Sequence, residues 1–100
     1  MGKLKIVWSY KAKDKLFNIL EYYTLRNKSK TYSIKLYKRL VKEINLLRRH
    51  PDLGIKTEDE SVRGLIVDTY IVFYEITNDK IIIHTIWDSR QNPINKLISE

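Results

Sequence analysis

The sequence predicts an α+β fold with the element order β-α-α-β-β-β, in which a helical hairpin packs on a mostly antiparallel four-stranded sheet. Two observations predict it. Hydrophobic residues alternate with lysines at the N-terminus and then recur at helical spacing over residues 10–49. The second half of the chain instead contains three β-rich apolar runs separated by short polar turns. With 100 residues, the chain is expected to form one domain, 1–100, with a single modest core.

The first half of the chain is predicted to begin with a strand over residues 3–9, where every second residue from Leu4 to Trp8 is apolar. Ser9 follows in the position of a helix N-cap, since its hydroxyl can accept a backbone hydrogen bond there. A helix is then predicted over residues 10–26. Its apolar face consists of Ala12, Leu16, Phe17, Ile19, Leu20 and Tyr23.

A second helix is predicted over residues 31–49, after a short polar break in which Ser29 is a potential N-cap. Pro51 ends this helix. Its apolar stripe consists of Tyr37, Leu40, Val41, Ile44 and Leu47. The basic residues of the opposite face are Lys35, Lys38, Lys42 and Arg49, with Arg39 beside them. Because the break is short, the two helices are expected to form an antiparallel hairpin.

The second half of the chain is predicted to be a loop, over residues 51–61, followed by a three-stranded meander. The predicted strands are 62–67, 70–76 and 80–87. The connections between them are two residues long or slightly more, which favours antiparallel pairing. The remaining residues, 88–100, are predicted to be a polar tail in which Pro93 starts one final helical turn.

The charge distribution is uneven and indicates the class of partner. The formal net charge is +7, and residues 1–56 hold 15 Lys and Arg against 4 Asp and Glu, a balance of +11. Residues 57–100 hold 4 against 8, a balance of −4. A basic half of this kind can bind nucleic acid, an acidic protein or an anionic surface, and a lysine-rich solvated helix face is the alternative. No apolar run approaches the roughly 20 residues of a membrane helix, so we expect a cytoplasmic protein with no membrane partner.

No strong catalytic motif is present in the sequence. The chain contains no Cys, which excludes disulfides, thiolate-bound metals and thiol catalysis. It also contains no Gly-rich phosphate loop, no metal-ligand spacing and no nucleophile elbow. We therefore expect no cofactor, no metal site and no small-molecule substrate.

Four side chains are still candidates for a functional site. His84 lies in an apolar strand, where it either acts as a general acid or base or is a half-buried packing residue. Arg63 interrupts an apolar strand just after an acidic loop, so that it either pairs with nearby acids or contacts a ligand. Arg90 and Asn92 follow the last strand directly. The segment after the last strand has many hydrogen-bond donors that the small core cannot bury, which favours a binding site there over ordinary solvent-exposed surface.

Four segments, taken in order, carry a family resemblance. They are IVWSYKAKDKLFNILEYY, LLRRHPDLG, VRGLIVDTYIVFYEI and IIIHTIWDSRQNP. Their order and spacing resemble the RelE/ParE superfamily of type II toxin–antitoxin toxins over essentially the whole chain. The resemblance implies a small basic toxin that is neutralised by a cognate antitoxin, which usually wraps an acidic segment over the toxin surface. The residues that it implies for antitoxin binding are Lys35, Lys38, Arg39 and Lys42.

The superfamily has two kinds of target, and both remain open at this point. ParE-like members inhibit DNA gyrase, whereas RelE-like members cleave mRNA on the ribosome. Nuclease members place a basic residue after the aromatic that opens the central strand, but here Ile71 follows Tyr70. This difference and the long helical hairpin favour gyrase inhibition, with the mRNA endonuclease as the alternative and a non-toxic binding module as a second alternative. The residues expected to contact the target are Lys56, Arg63, Arg90 and Asn92. The catalytic candidates of a nuclease are Arg63, His84 and Arg90.

Overall fold

The computed structural model describes residues 4–90 and has two helices packed on one face of a five-stranded mixed sheet. The elements are β1 (Lys5–Trp8), α1 (Tyr10–Asn27), α2 (Thr31–Leu46), β2 (Ile55–Lys56), β3 (Val62–Val67), β4 (Tyr70–Ile76) and β5 (Lys80–Asp88). The strand order is β1-β5-β4-β3-β2, with β1 parallel to β5 and every other pair antiparallel. The predicted fold class is therefore confirmed. Of the predicted tail, Asp88 belongs instead to β5 and residues 89–90 form a turn, whereas residues 91–100, with Asn92 and Pro93, lie outside the described residues.

The sheet has a fifth strand that the sequence analysis assigned to a loop. Strand β2 is two residues long and pairs with β3 through Ile55–Gly64 and Lys56–Arg63. Both residues of β2 are exposed. A two-residue exposed strand has no alternation of apolar and polar residues, so hydrophobic periodicity cannot reveal it.

Helix α1 begins where Ser9 joins it to the sheet. The Ser9 hydroxyl accepts a hydrogen bond from the Ala12 amide at 3.0 Å and donates one to the His84 carbonyl at 2.9 Å. The Ser9 amide donates to the Ile83 carbonyl at 3.0 Å. At this point β5 contains one extra residue, His84, because Thr85 pairs with Phe73 while Ile83 pairs with Tyr74 (a β-bulge). The predicted N-cap is thus confirmed, and it also fixes α1 over β5.

The buried faces of both helices differ in part from the prediction. Phe17 is 62% exposed and Tyr37 is 45% exposed, so neither belongs to the core. The residues of α2 that face inward are Ser33, Leu36, Leu40 and Ile44. Ser33 lies inside because its hydroxyl donates to the Leu20 carbonyl at 2.8 Å and lies 2.7 Å from the Thr24 hydroxyl. Ser33 thus lies on the same buried face as the apolar residues of α2, and its hydrogen bonds join α2 to α1.

The ends of α2 also differ from the prediction. The helix ends at Leu46, and the residues up to Arg49 form turns. Lys30 occupies the N-cap position without a side-chain cap. Ser29 still contributes, because its hydroxyl accepts a hydrogen bond from the Thr31 amide at 3.2 Å. The preceding Lys28 has a left-handed φ of 52° that closes α1.

Tyr74 joins the core to the loop after α2. Its side chain is fully buried, and its hydroxyl donates to the Pro51 carbonyl at 2.6 Å and accepts from the Gly54 amide at 2.8 Å. A Cβ atom on Gly54 would lie 2.6 Å from the Tyr74 hydroxyl oxygen. Only glycine therefore fits at position 54, and this close approach holds the start of β2 against β4.

Neither helix in the described part of the chain combines the length and the apolar character that crossing a bilayer requires.

Removal of the Ser9 hydroxyl tests the junction between α1 and the sheet. We expect Ser9→Ala to lower the free energy of unfolding by about 1–2 kcal/mol, since the variant loses the helix cap and the bond to the β5 bulge. Urea denaturation measures the change. The control is Ser61→Ala, because the exposed Ser61 bonds only within its own turn and should change stability by less than about 0.5 kcal/mol. If the two substitutions lowered the free energy of unfolding equally, Ser9 would not be the residue that fixes α1 to the sheet.

Candidate functional site

Arg63 is held by the backbone of the loop that precedes β2. Its Nη1 donates to the Gly54 carbonyl at 2.8 Å and more weakly to the Asp52 carbonyl at 3.4 Å. Arg63 is half-buried and lies opposite Lys56 across the β2–β3 pair. Carbonyl oxygens, rather than the carboxylates of the acidic loop, are therefore the partners of Arg63 within residues 4–90.

A shallow cavity of about 560 Å³ lies beside Lys56 and Arg63, and both basic and acidic side chains line it. The residues around it are Lys56, Thr57, Glu58, Glu60 and Arg63. Asp59 of the same loop turns back on Ser61, whose amide and hydroxyl both donate to Oδ1. These hydrogen bonds hold the pKa of Asp59 below its usual value. Over residues 4–90, no three His, Asp or Glu side chains come together as metal ligands.

His84 lies on the face of the sheet that the helices do not cover. Its Nε2 is 2.9 Å from Oε1 of Glu75, and the two side chains are 40% and 35% exposed. Glu75 follows the buried Tyr74 along β4, so it points to the opposite face. Arg63 pairs with Tyr74 in register and therefore lies on the helix side. The sheet thus separates His84 from Arg63.

Arg90 lies at the other end of β4 from Arg63. Asp88, two residues before Arg90, pairs with Tyr70, whereas Arg63 pairs with Tyr74. Four residues of strand correspond to about 13 Å. The structure therefore does not bring Arg63, His84 and Arg90 around one point. Asn92 lies beyond the described residues.

Arg90 is the centre of a hydrogen-bonded cluster with Asp88 and Tyr23. Its Nε and Nη2 donate to the two carboxylate oxygens of Asp88 at 3.1 and 2.9 Å, which is a bidentate pair. Nη2 also donates to the Tyr23 hydroxyl at 2.8 Å, and the Tyr70 hydroxyl donates to the same oxygen at 3.2 Å. The cluster joins the C-terminal half of α1 to the ends of β4 and β5.

The cluster shifts the pKa values of its members in different directions. The hydrogen bond from Tyr70, assisted by Arg90, lowers the pKa of Tyr23, because both bonds favour the phenolate. Burial raises the pKa of Tyr70 well above the usual range, and the hydrogen bond that it donates to Tyr23 acts in the same direction. The guanidinium of Arg90 lowers the pKa of Asp88. Tyr23 and Tyr70 therefore form one titrating pair in which Tyr23 loses its proton first.

A cavity of about 320 Å³ opens beside this cluster. The residues that line it are Lys15, Asn18, Ile19, Tyr22, Tyr23, Tyr70, Ile86, Asp88 and Arg90. The ring of Tyr23 is buried and packs edge-on against Tyr22 and Tyr32, with ring centroids 5.0 and 4.7 Å apart. Its hydroxyl bonds to Tyr70 and Arg90, which line the same cavity.

The role of Tyr23 in this cluster is not predicted by the sequence, in which Tyr23 is one of the expected core residues. That placement is correct for the ring. The only signal for a further role is the hydroxyl itself, since a buried phenol needs a hydrogen-bond partner. The partner, Arg90, is 67 residues away in the sequence, and no local pattern connects the two.

The exposed side of α2 and the turn that follows it form a basic face, which we define as Lys35, Lys38 and Lys42 of the helix and Arg49 of the turn. All four residues are exposed. The three lysines follow the spacing i, i+3, i+7, which places them on one side of the helix, opposite the buried residues. Arg39 lies at the border of this face, and its Nη1 is 3.1 Å from Oδ1 of Asp68 in the β3–β4 turn. The expected antitoxin-binding residues are therefore neighbours, with Arg39 engaged in an ion pair.

The loss of the Tyr70 hydroxyl tests the titrating pair. The pKa of Tyr70 is raised in the folded protein, whereas in the unfolded chain this tyrosine loses its proton near pH 10. The free energy of unfolding therefore keeps the contribution of this proton below about pH 10 and loses it progressively as the pH rises further. We expect the parent to lose up to about 1.4 kcal/mol per pH unit from this source above pH 10. Tyr70→Phe should remove that slope in urea denaturation.

The control for this measurement is Tyr37→Phe, which removes an exposed hydroxyl and should keep the slope of the parent. Parallel slopes for the parent and Tyr70→Phe above pH 10 would contradict the assignment.

Comparison with known proteins agrees with this architecture. The model of the family described as "ParE toxin of type II toxin-antitoxin system, parDE" matches residues 6–93, from β1 to beyond Arg90. Among solved structures, a chain of the "Chromosomal ParDE TA system from P. aeruginosa" aligns with a TM-score of 0.72 and 19% identity over 84% of this chain and 94% of that chain, a likeness of fold. No protein of curated function matches the chain. The family match covers both helices and the Arg90 cluster, and the chain belongs to the ParE family of type II toxins.

Proposed function

We propose that this toxin arrests growth by inhibiting DNA gyrase and that its antitoxin, the partner that the family implies, covers the basic face. The observation that carries the proposal is the match to the ParE family over residues 6–93. The gyrase target is what the resemblance implies for the ParE branch, and the arrangement of the polar side chains supports it.

The cations and the titratable group are arranged for binding rather than for phosphodiester cleavage. Cleavage requires several cations and a proton-transfer group around one phosphate. Arg63 and His84 lie on opposite faces of the sheet, and Arg90 lies at the far end of β4. Ile71, at the position where nucleases of the superfamily have a cation, is 1% exposed and cannot contact a substrate. An inhibitor that binds its target makes no such demand.

The proposed contacts with gyrase are Lys56, Arg63, Arg90 and Asn92. Lys56 is exposed at the short edge strand β2, and Arg63 lies beside it. Because Arg63 is fixed to the loop carbonyls, this corner of the sheet presents positive charge from a rigid backbone. Rigid presentation lowers the entropic cost of binding a partner.

The target is tested with two assays on the same purified toxin. We expect inhibition of gyrase supercoiling and no cleavage of a translated message in primer extension on programmed ribosomes. Lys56→Gln should weaken gyrase inhibition about tenfold, which corresponds to about 1.4 kcal/mol, with an unchanged melting temperature. Lys30→Gln removes an equal charge from the exposed break between the helices and should keep the inhibition of the parent.

Codon-dependent cleavage with normal supercoiling would overturn the gyrase assignment. In that case His84, held by Glu75, becomes the first residue to test as the proton-transfer group.

The antitoxin contact is tested through its association rate. Charges that steer a partner act on association and weaken with salt, whereas buried contacts act on dissociation. We expect the triple variant Lys35→Gln, Lys38→Gln, Lys42→Gln to associate with the cognate antitoxin about tenfold more slowly at low salt. Stopped-flow measurements over a range of ionic strength should also show a shallower salt dependence.

The matched control removes three exposed lysines elsewhere, through Lys5→Gln, Lys13→Gln and Lys30→Gln. This control has the same net charge as the triple variant. An equal loss of rate in the two variants would show that only net charge matters and that the basic face is not the docking surface.

A further inference from the structure

We propose that the cavity beside Arg90 binds the carboxylate of one Asp or Glu side chain of the antitoxin. The proposal rests on the antitoxin partner given above and adds a specific contact on α1, apart from the basic face of α2. It follows from the unused hydrogen-bond donors of the cavity, its charge and its size.

Several residues of the cavity have hydrogen-bond donors that no other side chain of the described residues uses. Tyr23 accepts hydrogen bonds from Tyr70 and Arg90, so its own hydroxyl proton points elsewhere, and a hydroxyl has one proton to donate. The Nη1 group of Arg90 has no hydrogen-bond partner among residues 4–90, because Asp88 and Tyr23 engage only Nε and Nη2. Lys15 and Asn18 add an ammonium and an amide at the cavity wall. A ligand that only accepts hydrogen bonds satisfies all of these groups.

The charged side chains of the cavity favour a ligand with one negative charge. Lys15 and Arg90 are positive and Asp88 is negative, so the lining has a net charge of +1. One carboxylate balances this charge, whereas a phosphate group with a charge of about −1.5 to −2 leaves an excess. Asp88 also repels a dianion more strongly than a monoanion. The charge therefore favours a carboxylate over a phosphate monoester or free inorganic phosphate.

The size and the walls of the cavity suit a single side chain. A volume of about 320 Å³ is at the lower end of the range for ligand pockets, roughly 300–1,000 Å³. The walls are apolar at Ile19 and Ile86 and aromatic at Tyr22, which suits the methylene stem of an acidic side chain. Tyr22 is 54% exposed, so a partner segment that lies along α1 can also cover its ring.

The test uses the full toxin and its cognate antitoxin. Lys15→Gln changes an exposed residue, so the fold is retained, and we expect the dissociation constant of the complex to rise about tenfold. The matched control is Lys13→Gln, which removes the same charge from the opposite flank of α1 and should change the constant less than twofold. Equal affinities of Lys15→Gln and the parent would overturn the proposal.

A second measurement reports the carboxylate directly. An anion next to the Tyr23 hydroxyl disfavours its phenolate, so tyrosinate absorbance should show that one tyrosine ionises at higher pH in the complex than in the free toxin. The difference should disappear in Tyr23→Phe. An unchanged titration in the complex would contradict a carboxylate in the cavity.

Small probes separate the two sources of negative charge. Millimolar capped glutamate should raise the ionisation pH of Tyr23 more than inorganic phosphate does, and capped glutamine should leave it unchanged. A larger effect of phosphate would overturn the choice of ligand.

These experiments do not depend on the gyrase assay. A toxin that fails to inhibit gyrase but binds the antitoxin through Lys15 would refute the proposed target alone, and the reverse result would refute the cavity alone.

Discussion

The parallel pairing of β1 with β5 is the constraint on which the rest of the structure depends. Trp8 pairs with Ile83, and Ser9 then bonds to the next carbonyl of β5, so α1 must begin over the bulge at His84. From Tyr10 to Tyr23 the helix advances about 20 Å. From Ile83 to Asp88, where β5 ends two residues before Arg90, the strand advances about 17 Å. These similar lengths bring Tyr23 to Arg90, and the hydrogen-bonded cluster is the consequence.

The same constraint sets the position of the basic face. Helix α2 returns antiparallel to α1, and its end reaches β1, where the Arg48 side chain donates to the Leu4 carbonyl at 3.1 Å and the Leu4 amide bonds to the Arg48 carbonyl. Before it enters β2, the chain bonds to the Tyr74 hydroxyl through the Pro51 carbonyl and the Gly54 amide. The buried side of α2 is fixed by this path and by the contact between Ser33 and Thr24. The lysines face solvent because they lie on the side of α2 opposite its buried residues.

The sequence predicts those features that depend on neighbouring residues and misses those that depend on distant ones. The strands β3 to β5 and their turns follow from apolar runs separated by short polar segments, and the Ser9 cap follows from local hydrogen bonding. All of them are present. The assignment of Phe17 and Tyr37 to the core failed because apolar character alone does not show which side of a helix the rest of the chain covers. The bidentate pair of Arg90 with Asp88 is local, but its bond to Tyr23 requires the packing of α1 on β5. Most of the fold was therefore predictable, whereas the geometry of the candidate site was not.

The two proposed antitoxin contacts have different physical roles because they differ in burial. The basic face is exposed and acts at a distance through charge, which raises the rate of encounter and is screened by salt. The cavity beside Arg90 is partly enclosed, and a carboxylate there loses water and gains several donors at once, which slows dissociation. The cavity lies on the flank of α1 and the basic face on α2, so one flexible segment that reaches both binds the second site at a high effective concentration. An acidic segment without a correctly spaced carboxylate gains only the first effect. With both proposed contacts in place, the fold would distinguish its own antitoxin from other acidic proteins of equal charge.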